Sequence, residues 1–61
     1  MLKLIDELEL ALKENAVNLK TERRVTRQIE LLAARAEILK SLIHLHKELI
    51  ADLTSYKEKV A

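Results

Sequence analysis

Residues 29–53 read IELLAARAEILKSLIHLHKELIADL, and the spacing of their apolar positions decides the fold. With Ile29 at heptad position a, the a and d positions along this half of the chain are Val25, Ile29, Leu32, Ala36, Leu39, Ile43, His46, Ile50, Leu53, Lys57 and Val60. Steps of four and three in alternation make a coiled-coil seam. A second apolar row runs beside it at c and g, through Leu31, Ile38, Leu42, Leu45, Leu49 and Tyr56. Together the two rows span an arc of about 160° on a helix, wider than one partner helix covers. This helix needs two neighbours. Its far side carries Glu30, Glu37, Lys40, Ser41, His44, Lys47, Glu48 and Ser55, which fits a solvent face.

The N-terminal segment has a stripe of its own in Ile5, Leu8, Leu12, Ala16 and Leu19, with Leu4 and Ala11 beside it and Asp6, Glu7, Lys13 and Glu14 outside. Carried back in the same heptad numbering, this stripe sits about 100° around the helix from the later seam. One straight helix would have to swing its apolar face sideways. The switch falls in the most polar stretch of the chain, residues 18–28, where only Leu19 and Val25 are apolar. Asn18 suits a helix end, and Thr21 suits the cap of the next helix with Glu22 in its first turn. The expected order is helix 1 at about 2–17, a turn at about 18–21 and helix 2 at about 22–60.

At 1.5 Å per residue those helices would be ~24 Å and ~58 Å long, so much of helix 2 has nothing within the chain to lie on. Residues Leu42, Ile43, Leu45, Leu49, Ile50, Leu53 and Tyr56 would then form an exposed patch, and such patches mark association surfaces. Two other arrangements compete. A three-helix monomer needs a second reversal near Lys40-Ser41, where no turn former sits. A single continuous helix places Asn15, Asn18 and Glu22 consecutively in its seam.

Composition agrees with an all-α chain. Its 61 residues include 13 Leu and 7 Ala, with no Gly, Pro or Cys. Sheet turns lean on Gly, Pro and Asn, whereas Leu, Ala, Lys, Glu and Arg lose little entropy in a helix. So short a chain hides only about 60% of its unfolded surface, and small domains close that gap with disulfides, a metal or another chain. Without cysteine, another chain is the expected route. The longest apolar run is Leu31-Leu32-Ala33-Ala34, too short for a membrane span, and Asp6, Glu7 and Glu9 interrupt any signal-peptide core. The expected location is the cytoplasm, with no membrane contact.

Little in the chain points to catalysis. His44 and His46 are the only histidines, and two residues apart on a helix means about 200° of rotation, the wrong spacing for paired metal ligands. No Glu-x-x-His pair, Ser-His-Asp grouping or glycine phosphate loop is present. No metal, cofactor or catalytic residue is expected. His46 occupies a d position, where a polar group fixes register; two copies of it meeting across a dyad would form a pH switch. His44 lies four residues before Glu48 as a solvated partner. The segment His44-Leu45-His46-Lys47-Glu48 resembles the His-bearing helix of histidine phosphotransfer modules over five residues.

Charge is uneven along the chain. The total is +1, with residues 1–19 at −2 and residues 41–61 at zero, so the basic excess lies in the middle. Lys20, Arg23, Arg24 and Arg27 cluster around the expected turn, and arginine suits phosphate through its planar fork. In length and hairpin plan the chain is similar to the Rop-like, four-helix RNA-binding regulators of plasmids, and that resemblance implies a nucleic-acid contact at this cluster. Against it stand a pI near 8.1 and a single aromatic, Tyr56.

The expectation is therefore an all-α helical hairpin with a short N-terminal and a long C-terminal helix, associating into a four-helix bundle or coiled-coil-like homodimer. Its function is expected to be non-catalytic protein–protein interaction. The oligomer interface is read as Ile29, Leu32, Ala36, Leu39, Leu42, Ile43, His46, Leu49, Ile50 and Leu53, with Leu8 and Leu12 completing the core. A small helical co-chaperone or regulatory subunit, completed by a larger protein, is the alternative of the same plan.

Overall fold

The computed structural model describes residues 2–60, with Val60 by its backbone alone. Two antiparallel helices, α1 at Leu2–Thr21 and α2 at Val25–Val60, account for all of these residues except Glu22, Arg23 and Arg24. No strand occurs among the described residues. Helix α2 runs unbroken through Lys40 and Ser41, so the chain reverses once, and neither the three-helix arrangement nor the single continuous helix is formed.

The turn lies later than the sequence suggests. Asn18 does not end the first helix in a left-handed conformation, since no described non-glycine residue has a positive φ. Thr21 does not cap α2 either. It closes α1, its hydroxyl donating to the Val17 carbonyl at 3.3 Å, a local bond that lets a Thr extend the last turn. The Arg24 carbonyl accepts from the Gln28 amide at 3.0 Å and so starts α2. Glu22 serves both ends. Its carboxylate accepts from the Arg24 amide at 3.0 Å, while its own carbonyl takes the Gln28 side-chain amide at 2.8 Å. Donors at the start of α2 and a carbonyl at the end of α1 are thus satisfied without glycine.

Helix α1 covers the c and g row of α2 and leaves the a and d row open. The facing residues are Ile5, Leu8, Leu12, Asn15 and Leu19 on α1, and Gln28, Leu31, Arg35, Ile38, Leu42, Leu45 and Leu49 on α2, all buried or half-buried. Asn15 takes the place expected for Ala16, which is exposed. Steps of three and four from Ile5 through Leu8 and Leu12 lead to Asn15 and then Leu19, so geometry, not polarity, sets the face. The Asn15 amide donates to the Leu31 carbonyl at 2.9 Å, and its oxygen has no partner.

The result is thin. Ile5, Leu31 and Leu42 are the buried apolar residues among those described, and no large side chain is fully enclosed. The molecule measures 54 × 15 × 12 Å, with a radius of gyration of 15.8 Å against about 10.5 Å for a compact domain of this length. Its accessible surface is 5213 Å², whereas a compact chain of this mass exposes about 4,000 Å². Beyond Leu49, the described side chains of α2 are all exposed, so its last three turns project past the end of α1.

Candidate association surface

The open row of α2 is the more apolar of its two rows. From Val25 to Leu53 its only polar member is His46, whereas the covered row includes Gln28 and Arg35 and meets Asn15 across the hairpin. Val25, Ile29, Leu32, Leu39, Ile43, Ile50 and Leu53 are all exposed, from 39% at Leu39 to 68% at Val25 and 61% at Leu53. Ala36 and His46 are exposed between them, and Tyr56 extends the apolar surface near the C-terminus. The α2 sequence arranges this face by heptad spacing alone.

The seam has asymmetric borders. Positions e and g of α2 flank it, and between Val25 and Tyr56 they carry Arg35, Lys40 and Lys47 with no acidic residue. A shallow groove lined by Asp6, Glu9, Leu12, Lys13, Ala16 and Arg35 runs between the helices on the side of the g positions. On the other side a second groove is lined by Leu4, Leu8, Lys40, Ser41, His44 and Leu45. Neither is enclosed.

Of the ten residues expected at the interface, eight lie on the open row: Ile29, Leu32, Ala36, Leu39, Ile43, His46, Ile50 and Leu53. Leu42 and Leu49 do not. Leu42 is buried and Leu49 half-buried in the row that α1 covers, because position g turns toward α1. Leu8 and Leu12 are half-buried against α2. Asn15 is not among the residues expected there, although the unbroken three-four spacing of α1 marks its position. The side chain of Val60, the last seam position, lies outside the described residues.

Other candidates separate in space or are neutralised. His44 Nε2 lies 2.9 Å from Glu48 Oε1 on the polar face, while His46 projects from the seam. Among the described residues no three His, Cys, Asp or Glu side chains converge as a metal site would require. Lys20, Arg23, Arg24 and Arg27 are all exposed near the turn, but Arg24 pairs with Glu22 at 3.2 Å and Arg27 with Glu30 at 2.9 Å. Half of the cluster's charge is therefore balanced within the chain. The Arg24 backbone amide and then its guanidinium hold the Glu22 carboxyl below the usual glutamate range. No helix among the described residues is long and apolar enough to cross a membrane. Comparison with protein-family models, curated proteins and solved structures finds no match to this chain.

Proposed function

We propose that this chain is a non-catalytic interaction module that associates with itself through the a and d face of α2. The observation that carries the reading is the inversion of apolarity: the purer apolar row of α2 faces out, and the mixed row faces in. A face meant for water carries polar groups at seam positions, and this one carries a single histidine from Val25 to Leu53.

Area supports the same reading. Seven large aliphatics at their observed exposures leave roughly 700 Å² per chain, so two such faces in contact would cover at most about 1,400 Å², within reach of the roughly 1,200 Å² at which specific interfaces begin. At about 25 cal/mol per Å² that contact would stabilise a hairpin whose own core is thin. Folding and association would then be linked, and stability would rise with concentration.

Light scattering after size exclusion, over a dilution series, tests the proposal. The expected result is a mass twice that of the 7.0 kDa chain, falling toward the single chain on dilution together with loss of helicity. A monomer with a cooperative, concentration-independent melt would overturn it. So would a free chain that is partly helical and aggregates, a result that would favour a larger protein as the natural occupant of the face.

A further inference from the structure

We infer that the second copy lies antiparallel, so that the projecting end of each α2 packs on the loop end of the other chain. This rests on the self-association proposed above and adds the sense of the pair.

A parallel, in-register pair sets every seam residue against its own counterpart. His46 would meet His46 and Lys57 would meet Lys57 in the seam, while each g position would face the following e position of the other chain. Arg35 would then face Lys40 twice, and no acid at e or g between Val25 and Tyr56 offsets these contacts. Two polar layers and two like-charge pairs oppose that sense.

Reversal parts the like residues, with Lys57 facing Val25 of the second copy near the end of the seam. Pairing a with d in opposite directions sets Ile29 against Leu53 of the second copy, Leu32 against Ile50, Ala36 against His46 and Leu39 against Ile43. The small Ala36 leaves room for the imidazole. Arg35 no longer faces Lys40, and one like pair remains, the two Lys40 side chains near the axis, where long stems reach outward to water.

The projecting end favours the same sense. In a parallel pair Ile50, Leu53 and Tyr56 would lie beyond both α1 helices, with only the same bare helix opposite. In the antiparallel pair they lie beside Val25, Ile29 and Leu32 of the second copy, the part of α2 that its own α1 backs. Each overhang then lies on a stretch of α2 braced from behind by α1, instead of on a second unbraced overhang.

The absence of cysteine makes the test clean. Ile29→Cys and Leu53→Cys chains are mixed in equal amounts and equilibrated in a glutathione redox buffer, and disulfide-linked species are identified by mass spectrometry. Both sites are exposed in the hairpin, so the substitutions spare its core. In the antiparallel pair, like positions sit ~36 Å apart along the axis, far beyond the Cα separation of about 7 Å that a disulfide tolerates. The expected product is the mixed Ile29→Cys/Leu53→Cys dimer, well above the half that random pairing gives. The pair Leu32→Cys with Ile50→Cys should repeat the result one layer inward. Self-linked dimers in excess, or a statistical mixture, would overturn the antiparallel sense. Light scattering on the unmodified chain separates the two claims: a dimer with self-linked products leaves self-association standing, whereas a monomer removes both.

Discussion

Helix α2 carries two apolar rows about 110° apart, and their fates differ: Leu31, Ile38, Leu42, Leu45 and Leu49 lie under α1, while Ile29, Leu32, Leu39, Ile43, Ile50 and Leu53 face outward. Hydrophobicity alone would have assigned them the other way, since the open row has fewer polar members. Helix α1 offers a stripe with a polar group at Asn15, whose amide finds the Leu31 backbone carbonyl in the covered row. The hairpin is built on the mixed row, which leaves the purer one exposed.

The largest test of this contrast is Leu42→Ala in the covered row. Leu42 is 7% exposed, and its truncation should cost about 2–5 kcal/mol, enough in so thin a core to abolish most helicity by circular dichroism at any concentration. Ile43→Ala, one residue on but in the open row, should behave differently. It should leave the hairpin's helicity at high concentration and move the dimer's dilution midpoint upward by tenfold or more, equivalent to about 1.4 kcal/mol per tenfold. If both variants lost helicity alike at high concentration, the two rows would not be separable.

Smaller effects sharpen the contrast. Asn15→Leu replaces a buried amide whose oxygen lacks a partner, and should raise the melting temperature, by about 1 kcal/mol in stability. The same change removes the side-chain bond to the Leu31 carbonyl, so heterogeneous amide resonances should accompany the gain if that bond fixes the register of the covered row. Smallest is Glu22→Gln at the turn. The Glu22 carboxyl titrates lower in the folded chain than in the unfolded one, so its contribution is present above the ordinary glutamate pKa and is lost as pH falls through the lowered value. The variant should melt slightly lower at pH 7, and the difference should vanish in acid.

Much of this was legible in the sequence. The two helices, their unequal lengths and the heptad seam all follow from apolar spacing, which is a direct projection of helical geometry. Asn18 and Thr21 favour helix ends, and that preference sets the expected turn too early. In the structure the Thr21 hydroxyl bonds back to the Val17 carbonyl, and Glu22 with Gln28 closes the chain reversal, contacts no local propensity encodes. Asn15 was passed over because it is polar, although its position was dictated by Ile5, Leu8 and Leu12. Which row α1 takes is not legible either, since both rows of α2 are apolar enough to cover and only the helices set side by side show which one is.

The three-residue turn has a consequence for time. It closes without proline and without a disulfide, so neither prolyl isomerisation, at tens of seconds, nor thiol exchange delays the chain. Closing so short a loop takes on the order of 10–100 ns and winding the helices about a microsecond. On the proposed self-association, a refolding phase slower than milliseconds is expected to be the meeting of two chains, and it should quicken in proportion to protein concentration.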